Sequence, residues 1–114
     1  MEDQCGTAAG CDLMAEIHVR AFIDPRMGDA EAAALDDVER ALLLAQRWLE
    51  EQKVALVLGG SGAVVATARI PRALDAQRAA RAGWVKLASA VQQKLETRPR
   101  KHPAVRTRVN LRID

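Results

Sequence analysis

Aromatic side chains are scarce in this chain: Phe22, Trp48 and Trp84 are all there are, and tyrosine is absent. That count excludes a surface that stacks on several bases at once. Cysteine is nearly as rare. Cys5 and Cys11 both fall within the first dozen of 114 residues, whereas a disulfide-built secreted domain spreads its cysteines through the fold. Their separation is wider than the spacings common in zinc sites. The only histidines are His18 and His102, so the expectation is exposed thiols and no metal. The longest uncharged run, Val54 to Ala68, contains three glycines and falls short of the roughly 20 apolar residues of a spanning helix. The N-terminus, Met-Glu-Asp-Gln-Cys, lacks the basic start and apolar stretch of a secretory signal. These absences lead to an expectation of a cytoplasmic protein with no membrane contact.

Cofactor and catalytic signatures are missing too. Ala55 to Leu58 runs into Gly59-Gly60-Ser61-Gly62, which resembles a strand entering a nucleotide-binding turn. A dinucleotide fingerprint needs a helix directly after its glycines, so that the helix N-terminus meets the pyrophosphate. Here Ala63-Val64-Val65-Ala66-Thr67-Ala68 follows, and Pro71 ends the run. No Gly-Lys-Ser/Thr is present. A hairpin turn is expected, and no cofactor. His18, Arg20 and Asp24, with Ser61 or Ser89, supply no base–nucleophile–stabiliser set. An enzyme, or a subunit of one, is the weakest of three functional readings.

What the chain does have is a core and a divided charge. Hydrophobic residues make up 49% of it, enough for one domain without metal or disulfide staples. Residues 1–52 hold 12 Asp and Glu against 4 Lys and Arg, whereas residues 53–114 hold 13 Lys and Arg against 3 acids. A basic half can face a phosphate polyanion, a membrane surface or the acidic half of a second copy.

Residues 1–12 are small and polar and are expected to form a flexible arm, with one domain over 13–114. Glu16 to Asp24 alternates apolar and polar, with Ile17, Val19, Ala21 and Ile23 on one side, which predicts a strand. Asp24-Pro25 breaks it. A helix is expected from near Asp29, a capping residue, to Gln52. Its apolar stripe reads Leu35, Val38, Leu42, Ala45 and Leu49, and Asp36-Asp37-Val38-Glu39 reads as a solvated face. Val54–Leu58 and Ala63–Ile70 predict two strands of a hairpin. A second helix is expected over Arg72 to Thr97, with Trp84, Leu87, Val91 and Leu95 on its stripe. Val105, Thr107, Val109, Leu111 and Ile113 alternate with Arg106, Arg108, Asn110 and Arg112 in a last strand. Both tryptophans are expected in the core.

The order strand, helix, strand, strand, helix, strand is the split β-α-β pattern of the ferredoxin-like fold: an α+β, four-stranded antiparallel sheet with two helices on one face. In that fold the first strand lies between the third and the fourth. His18, Arg20, Phe22, Thr67, Arg69, Arg106, Arg108 and Arg112 then converge on the open face. The candidate anion- or nucleic-acid-binding residues are therefore Arg20, Arg69, Arg106, Arg108 and Arg112 with Phe22. Arg98, Arg100 and Lys101, in a Pro-bracketed loop, are expected to extend them. RNA-recognition domains stack bases on aromatic side chains of this face. Only Phe22 is available, and Ala63-Val64-Val65-Ala66 replaces the glycine-aromatic signature, so sequence-specific readout is not expected. The leading expectation is a non-enzymatic module that self-associates, most simply as a homodimer, through the sheet face or the apolar edge Val54–Leu58. In that reading the acidic first helix of one copy meets the basic sheet of another. The alternative is sequence-independent binding of nucleic acid or another polyphosphate by the arginines.

Overall fold

The computed structural model describes residues 12–27, 31–59 and 63–114. Its elements are β1 (Leu13–Ile23), α1 (Ala32–Glu51), β2 (Ala55–Gly59), β3 (Ala63–Ile70), α2 (Leu74–Glu96) and β4 (Val105–Ile113). The four strands form one antiparallel sheet in the order β2-β3-β1-β4. This is the ferredoxin-like arrangement that the sequence pattern predicts. Residues 1–11 of the expected flexible arm and Asp29 itself lie outside the described residues, but α1 starts later than predicted: its N-cap is Glu31, which makes no side-chain capping hydrogen bond.

Alternation decides which side of the sheet each residue takes. Leu13, Ala15, Ile17, Val19 and Ala21 of β1 are buried, as are Val64, Ala66 and Ile70 of β3. Ala41, Ala45 and Leu49 of α1 and Val91 and Leu95 of α2 close over Ile17, Val19, Ala21, Val64 and Ala66 in the main core, while Leu13, Ala15 and Ile70 form a second, smaller cluster with Ala80, Trp84 and Ile113 packed against it. Both helices thus cover the same face. Trp48 and Trp84 pack half-buried against this core, as expected.

Of the predicted α1 stripe, Ala45 and Leu49 are buried and Val38 and Leu42 pack against the core, but Leu35 does not. The buried residues of α1 are Ala34, Asp37, Ala41, Ala45 and Leu49, while Leu35 is 50% exposed. Small alanines let the helix backbone approach the sheet closely, and the bulkier Val38, Leu42 and Leu44 pack half-buried against the core at the flanks. β1 begins three residues before the predicted Glu16 because Leu13 pairs with Ile70, Met14 with Arg69 and Ala15 with Ile113. Long-range pairing extends it beyond the clean alternation.

After residues 60–62 the chain enters β3, and Gly59 pairs with Ala63 in an antiparallel hairpin. No helix N-terminus follows residues 59–62, so the dinucleotide geometry is not built. Among the described residues, no helix is long and apolar enough to cross a membrane.

Candidate functional site

Cross-strand register sorts the open face into two halves. On the β2–β3 side the facing pairs are Ala55 with Thr67, Val57 with Val65, and Gly59 with Ala63. All are uncharged, and Val57 is 57% exposed. On the β1–β4 side the facing pairs are Glu16 with Arg112, His18 with Asn110, Arg20 with Arg108, and Phe22 with Arg106. Arg69, also exposed, sits opposite Met14 at the near end. Five predicted cations, Arg20, Arg69, Arg106, Arg108 and Arg112, therefore share the face turned away from the helices, together with Phe22.

Their partners differ. Arg112 pairs with Asp114 at 2.9 Å. Arg106 lies 3.6 Å from Asp24 and donates to the Pro103 carbonyl at 3.1 Å. Asp24 is buried and accepts from the Arg26 amide at 3.0 Å and from the Arg26 side chain. Those two Arg26 hydrogen bonds, with the charges of Arg26 and Arg106, hold its carboxyl below the usual carboxylate range. Arg108 stands 5.8 Å from the centroid of the Phe22 ring, near the outer limit of a cation–π contact. Arg20 and Arg108 face each other directly with no carboxylate of the described residues paired to either. A groove of about 420 Å³ opens here, with Phe22, Asp24, Arg26, Arg106 and Arg108 in its walls.

Arg98 departs from expectation and is not available to a phosphate. Its side chain is 4% exposed and Asp37 is fully buried. Arg98 donates to both Asp37 oxygens, at 3.0 and 2.6 Å, and to the Leu95 carbonyl. The His102 amide donates to the same carboxylate at 2.9 Å. Burial pushes the Asp37 carboxyl up, but these hydrogen bonds and the charges of Arg98 and Arg40 outweigh it, so the group stays below the usual range. The supposedly solvated acidic run thus has one member at the centre of a buried ion pair. Arg100 and Lys101 remain exposed, but the Arg100 carbonyl accepts from Arg40 of α1. The loop is tied to α1 through Arg98 and the Arg100 carbonyl.

The two halves of the sequence therefore meet within one copy. Asp37 takes Arg98, and Asp24 takes Arg106. Glu31 of the acidic half lies 3.9 Å from His102. Asp37 and Asp24 of the acidic half thus take arginines of the basic half of the same chain.

His18 bonds Glu16 at 3.0 Å on the open face. His102 sits in the loop, where its Nδ1 accepts from the Ala104 amide at 3.1 Å. Cys5 and Cys11 lie outside the described residues, and no group of three or more His, Cys, Asp or Glu among the described residues is placed to hold a metal ion. No protein-family model, curated protein or solved structure matches this chain, so the site stands on its own geometry.

Proposed function

We propose that this protein is a non-enzymatic assembly module of the cytoplasm that pairs with a second copy of itself along β2. The observation that carries this is the contrast between the two sheet edges. β4 carries Arg106, Arg108 and Arg112 on one face, and antiparallel pairing of two β4 strands would oppose like charges, which is destabilising. Charged edges of this kind block strand addition. β2 reads Ala-Leu-Val-Leu-Gly, with no charge and no proline to deter a partner strand. Antiparallel pairing about Val57 opposes only apolar residues and joins two sheets into one. It also covers Val57 beside the uncharged half of the open face.

Sedimentation velocity at micromolar concentration tests this. The expected species has twice the 12.4 kDa of one chain, and Val57→Lys gives a monomer that keeps its fold, because Val57 is largely solvent-exposed in a single copy. A monomer of the unaltered chain in both low and moderate salt would end this reading.

A further inference from the structure

We infer that the Phe22 end of the open face, with the arginine row along β4, binds a single strand of nucleic acid without sequence preference. Arg20 and Arg108 are direct cross-strand neighbours, an arrangement that costs stability unless an anion lies between them. Neither has a carboxylate partner among the described residues, so both guanidiniums keep their forked donors for phosphate oxygens. Arg106, two residues along β4, is held by the buried Asp24 and the Pro103 carbonyl. Its position is set before any ligand arrives.

The shape of the cluster selects the ligand. From Arg106 to Arg112 the strand covers roughly 20 Å, and its cations form a row and not a closed cage. A row suits a linear chain of phosphates better than one small anion. Phe22, at the end of that row, adds a flat apolar ring beside the groove. Arg108 rests over this ring only at 5.8 Å. When the strand binds, a base takes that place over the ring and the Arg108 guanidinium turns to the backbone. Stacking of this kind accepts any base, and phosphate contacts carry no sequence information. With one aromatic residue on the face, discrimination among sequences is weak.

The test is fluorescence anisotropy of a short labelled oligothymidine titrated with the full chain over a range of salt. Engagement of three phosphates gives a log–log salt slope of about −2. The exchange Arg20→Glu with Arg108→Glu abolishes binding, and Arg100→Glu with Lys101→Glu leaves more than half of the affinity. Phe22→Ala weakens binding roughly five-fold or more. Both arginine side chains of the first pair are exposed, so circular dichroism of that variant matches the unaltered protein. No binding at low salt overturns the inference. So does a loss that follows Arg100 and Lys101 in place of Arg20 and Arg108. If Phe22→Ala binds unchanged and inorganic polyphosphate displaces the oligonucleotide at equal phosphate concentration, the ligand is a bare phosphate chain and the nucleic-acid assignment is wrong.

Discussion

Two clusters of arginine and aspartate lie on opposite sides of this sheet, and they use the same chemistry in different ways. Under α1, Asp37 and Arg98 are almost wholly buried and satisfy each other in a forked pair, with the His102 amide on the same carboxylate. At the Phe22 end of the open face, Asp24 is buried but its arginines are not: the Arg26 side chain is 88% exposed and that of Arg106 is 42% exposed. Arg20 and Arg108 add charge with no carboxylate partner among the described residues. One cluster consumes its cations to fix a loop on a helix. The other holds them toward solvent. The difference shows that burial of the guanidinium, not its position in a basic stretch, decides whether an arginine is structural or free to bind.

That contrast breaks first at Asp37. Replacing it with Ala strands the Arg98 charge in the interior, and unfolding in urea should show a loss of about 3–5 kcal/mol. Exchanging both partners, as in Asp37→Leu with Arg98→Met, should cost clearly less than Asp37→Ala alone, because no unpaired charge remains. A double exchange as damaging as the single one would mean that the pair does more than neutralise itself.

Acid should separate the clusters further. The Asp37 carboxyl is held below its ordinary value in the fold, so its contribution is fully present above the unfolded pKa of about 3.9 and is lost as pH falls through the folded one. Stability measured from about pH 6 down to about pH 2 should therefore decline, and Asp37→Asn should remove part of that slope. An unchanged slope would place the acid sensitivity elsewhere, with Asp24 the next group to examine, since its pKa is also depressed.

The smallest effect is expected at Lys53. It follows α1 with φ of 61°, in the left-handed region where a side chain is strained and glycine is not. Lys53→Gly should raise stability by up to about 1 kcal/mol in thermal unfolding. A loss instead would mean that the lysine side chain holds the turn into β2.

Most of the fold was legible because its signals are local. The alternation in Val105–Ile113 marks β4, and its arginines face away from the helices as that period requires. Ala63–Ile70 reads as a strand because branched residues follow the glycines and Pro71 stops them. The Asp37–Arg98 pair was not legible, since 61 residues separate its members and an acid in the run Asp-Asp-Val-Glu looks solvated. A signal was available: Asp37 falls on the spacing of Ala34, Ala41 and Ala45, all of them buried. Choosing the larger Leu35 and Leu42 as the stripe concealed it. The convergence of Arg20, Phe22, Arg106 and Arg108 followed from the strand order, whereas the anchoring of Arg106 by Asp24 depends on loop geometry that no period encodes.

Arg98 and Arg108, both of the basic half, thus play different parts: one is buried and structural, the other exposed with no carboxylate partner among the described residues. The most direct measurement is urea unfolding of Arg98→Met and Arg108→Met side by side at one protein concentration. Arg98→Met should lose several kcal/mol, since Asp37 is left buried without its partner. Arg108→Met should change stability within about 0.5 kcal/mol, or give a small gain as repulsion with Arg20 is relieved. Equal losses from the two, or a larger one from Arg108→Met, would contradict this division of parts.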